Sequence, residues 1–293
     1  MQRKTIFALA AGIAALLAPA PLVQAFDWPQ EGTTIDSFFS YFGQLRGRRI
    51  ESSLIFKDDA QVKAAGDGTV IAVIHEHNNS FGWFESTLGN AVIVAHKDKI
   101  STVYGNLEEE SIPESLEQDK LVRTGDILGT SGNSGWQEGQ SCLEFLVLDT
   151  KNKAAVNPRV LMPRISSDLP LVIGELTLDD RNGGTHHLLN ERNLAAGTYS
   201  LYHTRQSTAV PYRTIVSVNG ATVESISYDM LHEYNEQLCA EGNANYPAER
   251  LYPDDKRQLL SVLRLNHGHT TLSVTMLDIL GKAQTITYNL DIN

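Results

Sequence analysis

The sequence predicts an all-β protein made of two consecutive sheet domains, and three observations predict it. Short apolar or alternating stretches recur throughout the chain after residue 25, with turn residues between them. Helical periodicity is nearly absent, the one helical candidate being residues 230–242. The style of the stretches changes at residues 164–168, which read as a linker between a first domain at 26–165 and a second at 169–293.

Taken in order, residues 1–25 read as a secretory signal. Arg3 and Lys4 supply the charged start, residues 6–17 the apolar core, and Val23, Gln24 and Ala25 a small-residue cleavage site. The apolar run is short and is followed by Pro19 and Pro21, which argues against a membrane anchor. The mature chain would begin at Phe26 with no membrane span. Removing Arg3 and Lys4 takes the formal charge from −11 to −13. Such an acidic chain is repelled by nucleic acid and by anionic lipid, so neither is expected as a partner. The two cysteines, Cys142 and Cys239, are too few for a disulfide framework and read as small buried side chains rather than a bridge.

Residues 26–41 carry Phe26, Trp28, Phe38, Phe39 and Tyr41, an aromatic lead that reads as apolar cover for the first sheet. Residues 61–74 read as strand, Asp-Gly turn and strand, a hairpin. Residues 89–96 and 100–107 form a second strand pair around the polar turn Lys97, Asp98 and Lys99. Residues 108–120 are acidic, contain Pro113, and read as an excursion over the surface. Residues 122–148 return to the sheet through turns served by Gly125, Gly129, Gly132, Gly135 and Gly139, and close as a strand over 141–148. Residues 157–163 end the domain.

In the second half, residues 171–178, 197–203, 212–219, 259–265, 270–279 and 283–290 are six candidate strands. Their short links suggest a β-sandwich of immunoglobulin-like type. No residue set there names a ligand, and its expected role is to dock or position the first domain.

The stretch Leu88 to His96, the stretch Ser101 to Leu107 and the glycine-rich segment Val122 to Leu148 together resemble the lysostaphin/LytM family of zinc peptidases, which cut peptidoglycan. The resemblance spans about residues 42–163 and implies a LytM-like antiparallel sheet. It also implies a metal site built from the His and Asp of His-x-x-x-Asp and the second His of His-x-His. The first His of that pair and the His of Tyr-x-His-Leu assist the metal-bound water and the oxyanion. Placed by their flanks, the first ligand falls at Glu51 and the Asp at Ile55, between Phe42, Gly43, Arg46 and Phe56. The Tyr-x-His-Leu histidine falls at Asn106, within Tyr104, Gly105, Asn106 and Leu107. The His-x-His-Phe stretch falls at Cys142, Leu143, Glu144 and Phe145. All five positions are substituted, and the alkyl group of Ile55 offers no lone pair to a metal.

Other features weigh less. His96 matches a family position outside the metal site and reads as structural. The pairs His75 and His77, and His267 and His269, have i, i+2 spacing but no carboxylate motif beside them, and read as accidental. His186 and His187 read as surface loop. Glu51 and Glu144 could face one another across the groove and hold Ca²⁺ or Mg²⁺, but two carboxylates without backbone oxygens make a weak site. A nucleophilic Cys142 lacks a base at a recognisable position.

The resemblance thus implies a degenerate LytM-type protein: exported to the periplasm or cell envelope, non-catalytic, without metal or cofactor. Its vestigial groove, Glu51, Ile55, Asn106, Cys142 and Glu144, would bind peptidoglycan or a cell-wall hydrolase such as an amidase, with Tyr104 and Trp136 making the contacts. The alternative is a peptidoglycan metalloendopeptidase whose altered ligand or nucleophile set is Glu51, Cys142 and Glu144, with zinc bound. A third reading makes both domains assembly surfaces of a structural envelope protein.

Overall fold

The computed structural model describes residues 26–75, 87–135, 141–206 and 208–293. Their structure is almost entirely β, as the alternating stretches require. The first half holds β1 (Phe38–Ser40), β2 (Leu45–Arg46), β3 (Arg49–Ile50), β4 (Leu54–Phe56), β5 (Gln61–Lys63) and β6 (Gly68–Ile74). It continues with β7 (Asn90–Ala95), β8 (Ile100–Leu107), β9 (Leu121–Val122), β10 (Ile127–Thr130), β11 (Leu143–Asp149) and β12 (Ala154–Val156). Two single-turn helices, α1 (Ser115–Gln118) and α2 (Pro158–Leu161), interrupt them.

The second half holds β13 (Leu176–Asp180), β14 (Thr185–His187), β15 (Asn193–Leu194), β16 (Gly197–Thr204), β17 (Arg213–Val218) and β18 (Ala221–Tyr234). After these come β19 (Gln237–Glu241), β20 (Asn245–Tyr246), the short helix α3 (Ala248–Leu251), β21 (Arg257–Leu265), β22 (Gly268–Leu277) and β23 (Ala283–Ile292). The sheet β14-β13-β16-β21 and the strands β23-β22-β17 enclose an apolar core of residues such as Leu178, Leu201, Leu260, Leu272 and Leu290. This is a two-sheet sandwich with alternating inward side chains.

One sheet runs through both halves in the order β15-β23-β22-β17-β18-β12-β11-β8-β7-β6-β9. Its seam is the antiparallel pair β12–β18, with Ala154, Ala155 and Val156 opposite His232, Leu231 and Met230. The first apolar core crosses the seam as well, joining Phe56, Tyr104 and Phe145 to Tyr228, Leu231, Tyr246 and Tyr252. Residues 164–168 therefore connect two halves that already share backbone pairing and a core.

Four elements differ from expectation. Residues 230–242 are not helical: they are the end of β18, a turn at Asn235 and Glu236 with φ of 49° and 62°, and β19. Two consecutive positive φ angles make the tight reversal that right-twisted strands favour, but Asn-Glu lacks the glycine that usually announces it. Residues 61–74 are not a hairpin, because β5 pairs with β10 while β6 pairs with β7 and β9. Between them Ala64 and Ala65 are buried and the chain turns a corner between sheets. Gly68 lies so close to β7 that an added Cβ would stand 2.6 Å from the Ala95 carbonyl oxygen. His187 and His186 belong to β14 rather than to a loop. The 108–120 excursion also folds back, burying Ile112 and Leu116.

The aromatic lead is cover, as read, except for Phe39, which is 66% exposed. Phe26, Phe38 and Tyr41 are buried, and Trp28 lies 5.7 Å from the Phe38 ring and 6.2 Å from Phe56 while its indole N–H donates to Pro163 O at 2.9 Å. His96 is structural: Nδ1 lies 2.8 Å from Asp67 O and Nε2 2.7 Å from Thr102 Oγ1, and burial lowers its pKa. Both cysteines are unbridged and buried.

Candidate functional site

Strands β4, β11 and β8 lie side by side, so Ile55, Asn106 and Glu144 share one stretch of sheet with Cys142 just ahead of β11, whereas Glu51 follows β3 of the separate β2–β3 pair. Ile55 and Gly105 flank Glu144 as its partners on β4 and β8. On β4, Leu54 and Phe56 point into the first apolar core. Alternation then places Ile55 on the opposite face, the one Glu144 occupies. Ile55 is nevertheless fully buried and outside both apolar cores.

Glu51 is set by the β2–β3 hairpin, where Gly47 takes a φ of 59° at the turn and Gly43 N–H donates to Glu51 O at 2.8 Å. Its carboxylate is buried and engaged on both oxygens. Oε1 accepts from the Ser53 backbone N–H at 3.1 Å and from its hydroxyl at 2.6 Å, and Oε2 accepts from Arg46 Nη1 at 3.0 Å. The guanidinium therefore provides the positive charge that a metal would provide beside a ligand carboxylate. Arg46 also lies within electrostatic reach of the Cys142 thiol, as does Glu144. The sequence reading used Arg46 only as a flank. The signal it missed is an arginine and an acid five residues apart across a glycine turn, a spacing that brings the two side chains together on a hairpin.

Asn106 is buried in β8 with φ of 63°, a left-handed conformation that asparagine tolerates better than most residues. Its amide nitrogen donates to Gly132 O at 2.7 Å and Cys142 O at 2.8 Å, and lies 3.2 Å from Cys142 Sγ. Its Oδ1 accepts from Gly135 N–H at 2.6 Å. Asn106 thus fastens the glycine-rich loop to the head of β11. Burial pushes the Cys142 thiol pKa up, and the Asn106 contact and Arg46 only partly oppose this, so the thiol stays protonated near neutral pH.

Tyr104 requires a correction. It is fully buried in the first core, its ring 5.3 Å from Phe145, and its hydroxyl accepts from Ala65 N–H at 2.7 Å and lies 3.1 Å from Thr102 Oγ1. Burial raises its pKa to about 12. It offers no surface to a ligand and ties β8 to the 64–67 corner instead. Trp136, the other expected contact, lies outside the described residues, as do His77 and residues 1–25.

Zinc does not fit these residues. Ile55 has no donor atom, Asn106 has its side chain committed to three backbone groups, and both Glu51 oxygens already hold Arg46 and Ser53. Among the described residues no group of three His, Cys, Asp or Glu side chains is placed to hold a metal. Elsewhere, His75 is spread between Glu117 at 3.0 Å and Glu109 at 3.7 Å through its two different nitrogens, and His269 pairs with Asp291. Among the described residues no helix is long and apolar enough to cross a membrane.

Comparison with known proteins agrees with the resemblance. Residues 53–158 match the family model described as peptidase family M23, and residues 170–293 match a second family model that carries no description. An uncharacterized protein of Treponema pallidum (strain Nichols) is 32% identical over 120 residues, which are 38% of this chain and 79% of that protein. Among solved structures, a zinc-containing peptidase from Vibrio cholerae is 23% identical with a TM-score of 0.37, covering 50% of this chain. This chain spans 41% of the Vibrio protein. The SpoIIQ–SpoIIIAH pore-forming complex gives 21% identity and a TM-score of 0.36, over 49% of this chain and 94% of the matched one. The catalytic domain of the prophage-encoded M23 protein EnpA from Enterococcus faecalis gives 22%, 0.33, and 41% and 87%. Residues 53–158 of this chain are thus a peptidase family M23, LytM-like domain.

Proposed function

We propose that this is an exported, non-hydrolytic M23 protein of the cell envelope, whose first domain binds peptidoglycan or controls a cell-wall hydrolase such as an amidase. The M23 match over residues 53–158 supports a peptidoglycan-related role. The observation that carries the non-hydrolytic reading is the buried alkyl side chain of Ile55 at the position where the resemblance puts the aspartate ligand, together with the ion pair of Glu51 with Arg46. Hydrolysis in this family needs an open metal position bearing a water near neutral pKa, and these side chains leave no set of donors to hold it. Control of an amidase would be a differential-binding effect, the chain preferring the amidase's active conformation over its resting one.

The test uses the whole chain, since the two halves share a core. Co-sedimentation with purified sacculi, and the rate of glycan-peptide release by an added amidase, are measured with wild type and with Trp136→Ala. Sedimentation or amidase stimulation that falls by about tenfold in the variant, the size of effect lost with a central aromatic contact, supports the reading. Absence of both with wild type would favour a purely structural envelope protein.

The alternative, a metalloendopeptidase with zinc held by Glu51, Cys142 and Glu144, predicts stoichiometric zinc and new muropeptides from the chain alone. A raised thiol pKa at Cys142 works against it, because a metal must displace the thiol proton.

A further inference from the structure

At the end of the sandwich away from the seam, an open groove of about 580 Å³ runs between the end of β13 and the β21–β22 turn, lined by Arg181, Thr198, Arg264, Asn266 and His267 along with three small or apolar residues. The sheet register builds it. Thr198 on β16 is the direct partner of Arg264 on β21, so their side chains share a face, and Arg181 follows Asp180, which pairs with Tyr199 next to Thr198. The register thereby sets Arg181 and Arg264 on the two chain segments that flank Thr198, and all three residues line the groove.

Neither arginine makes an ion pair, hydrogen bond or ring contact among the described residues. Four of the other five arginines of this half show the contrast, while Arg213 on β17 likewise makes no such contact among the described residues. Arg257 is shared by Asp179 and Asp254, Arg192 lies over Tyr288, Arg250 over Tyr246, and Arg205 over Tyr252 with its Nε donating to Asp255 O. The acids nearest Arg181 in sequence are committed elsewhere. Asp179 accepts from Arg257 at 2.8 Å, and Asp180 accepts from the Asn182 and Gly184 N–H groups and lies 3.2 Å from His186 Nε2. In a chain of formal charge −11, two unneutralised guanidiniums converging on one groove are a local reversal of the protein's field.

We propose that this groove is an oxyanion-binding site for a carboxylate or phosphate group carried on a saccharide- or peptide-sized ligand. Paired guanidiniums match the planar, multi-oxygen edge of such groups and hold it by charge-assisted bonds. The Thr198 hydroxyl, the Asn266 amide and the His267 ring are further donors at the same place. The groove lies in the range of small-ligand sites, larger than a bare ion needs. The proposal stands apart from the reading of the first domain, for it involves none of those residues.

Titration of the isotope-labelled full chain with inorganic phosphate and, separately, with citrate tests it by nuclear magnetic resonance. The variants are Arg181→Glu, Arg264→Glu and their double, all of exposed side chains, with unchanged circular dichroism as the check on folding. Shifts centred on 181, 198 and 264–267, weakened at least tenfold in the double variant and by added sodium chloride, are expected. The stronger probe tells phosphate from carboxylate. Equal binding by wild type and double variant, no saturable shift with either probe, or Arg-dependent binding only to vesicles rich in phosphatidylglycerol would overturn the proposal.

Discussion

At the scale of single residues, the site is defined by what its side chains have already bound. Glu51, which the resemblance sets at a ligand position, gives its carboxylate to Arg46 and Ser53, and Asn106, which the resemblance sets at a histidine position, spends its amide on Gly132, Gly135 and Cys142. Asn106→Ala would strand the Cys142 carbonyl and the Gly135 N–H, leave Gly132 O to the Cys142 N–H, and place alanine at a φ of 63°. Each stranded group costs roughly 1–3 kcal/mol, so a loss of about 3 kcal/mol or more in urea-denaturation stability is expected. Asn106→Gly removes the same bonds without the backbone penalty and should lose less. A second residue-scale prediction concerns His203, buried on β16 with Nε2 3.1 Å from Gln258 Oε1. Burial lowers its pKa from an ordinary 6.5 to about 4. The unfolded chain takes up this proton near pH 6.5 while the fold resists it, so stability is full above that pH and falls as pH drops toward 4. The loss should reach roughly 3 kcal/mol by pH 4, at 1.36 kcal/mol per pKa unit. Urea denaturation between pH 4.5 and 7.5 should show a shallower slope in His203→Gln.

At the scale of elements, the seam decides most. Ala155 on β12 sits opposite Leu148 of β11 on one side and Leu231 of β18 on the other, with almost no exposed surface. A proline there cannot donate to the ladder in mid-sheet, and Ala155→Pro should destabilise both halves together by about 3 kcal/mol or more. Separate loss of one half alone, followed by hydrogen exchange, would contradict this. The elements also show how far the sequence could be read. The alternating runs of β16, β21, β22 and β23 announced themselves locally, as did the β7–β8 pair with its polar turn. Pairing partners were another matter. β5 looks like the first arm of a hairpin, yet it joins β10 some sixty residues on, because Ala64 and Ala65 carry the chain through the core rather than around a surface turn. The flanks of the proposed site positions on β8 and β11 are regular strands, and that regularity was legible in the sequence. The guanidinium beside Glu51 was not, since it depends on a hairpin register, and neither was the burial of Tyr104, whose hydroxyl is taken by Ala65 from a distant corner.

At the scale of the whole molecule, a continuous sheet and a shared core make the two halves one mechanical unit. A single cooperative thermal transition, with calorimetric and van't Hoff enthalpies equal, is the expected behaviour. Within this frame residues 53–158 carry the M23 domain, and the proposal is that its groove lacks the donors for a metal. The most direct measurement of that central claim is zinc content by mass spectrometry after equilibration of the purified chain with equimolar zinc, read together with muropeptide release from sacculi by the chain alone. Zinc well below one ion per chain and no new muropeptides is the predicted result; one tightly held zinc per chain with muropeptides appearing in step would contradict it.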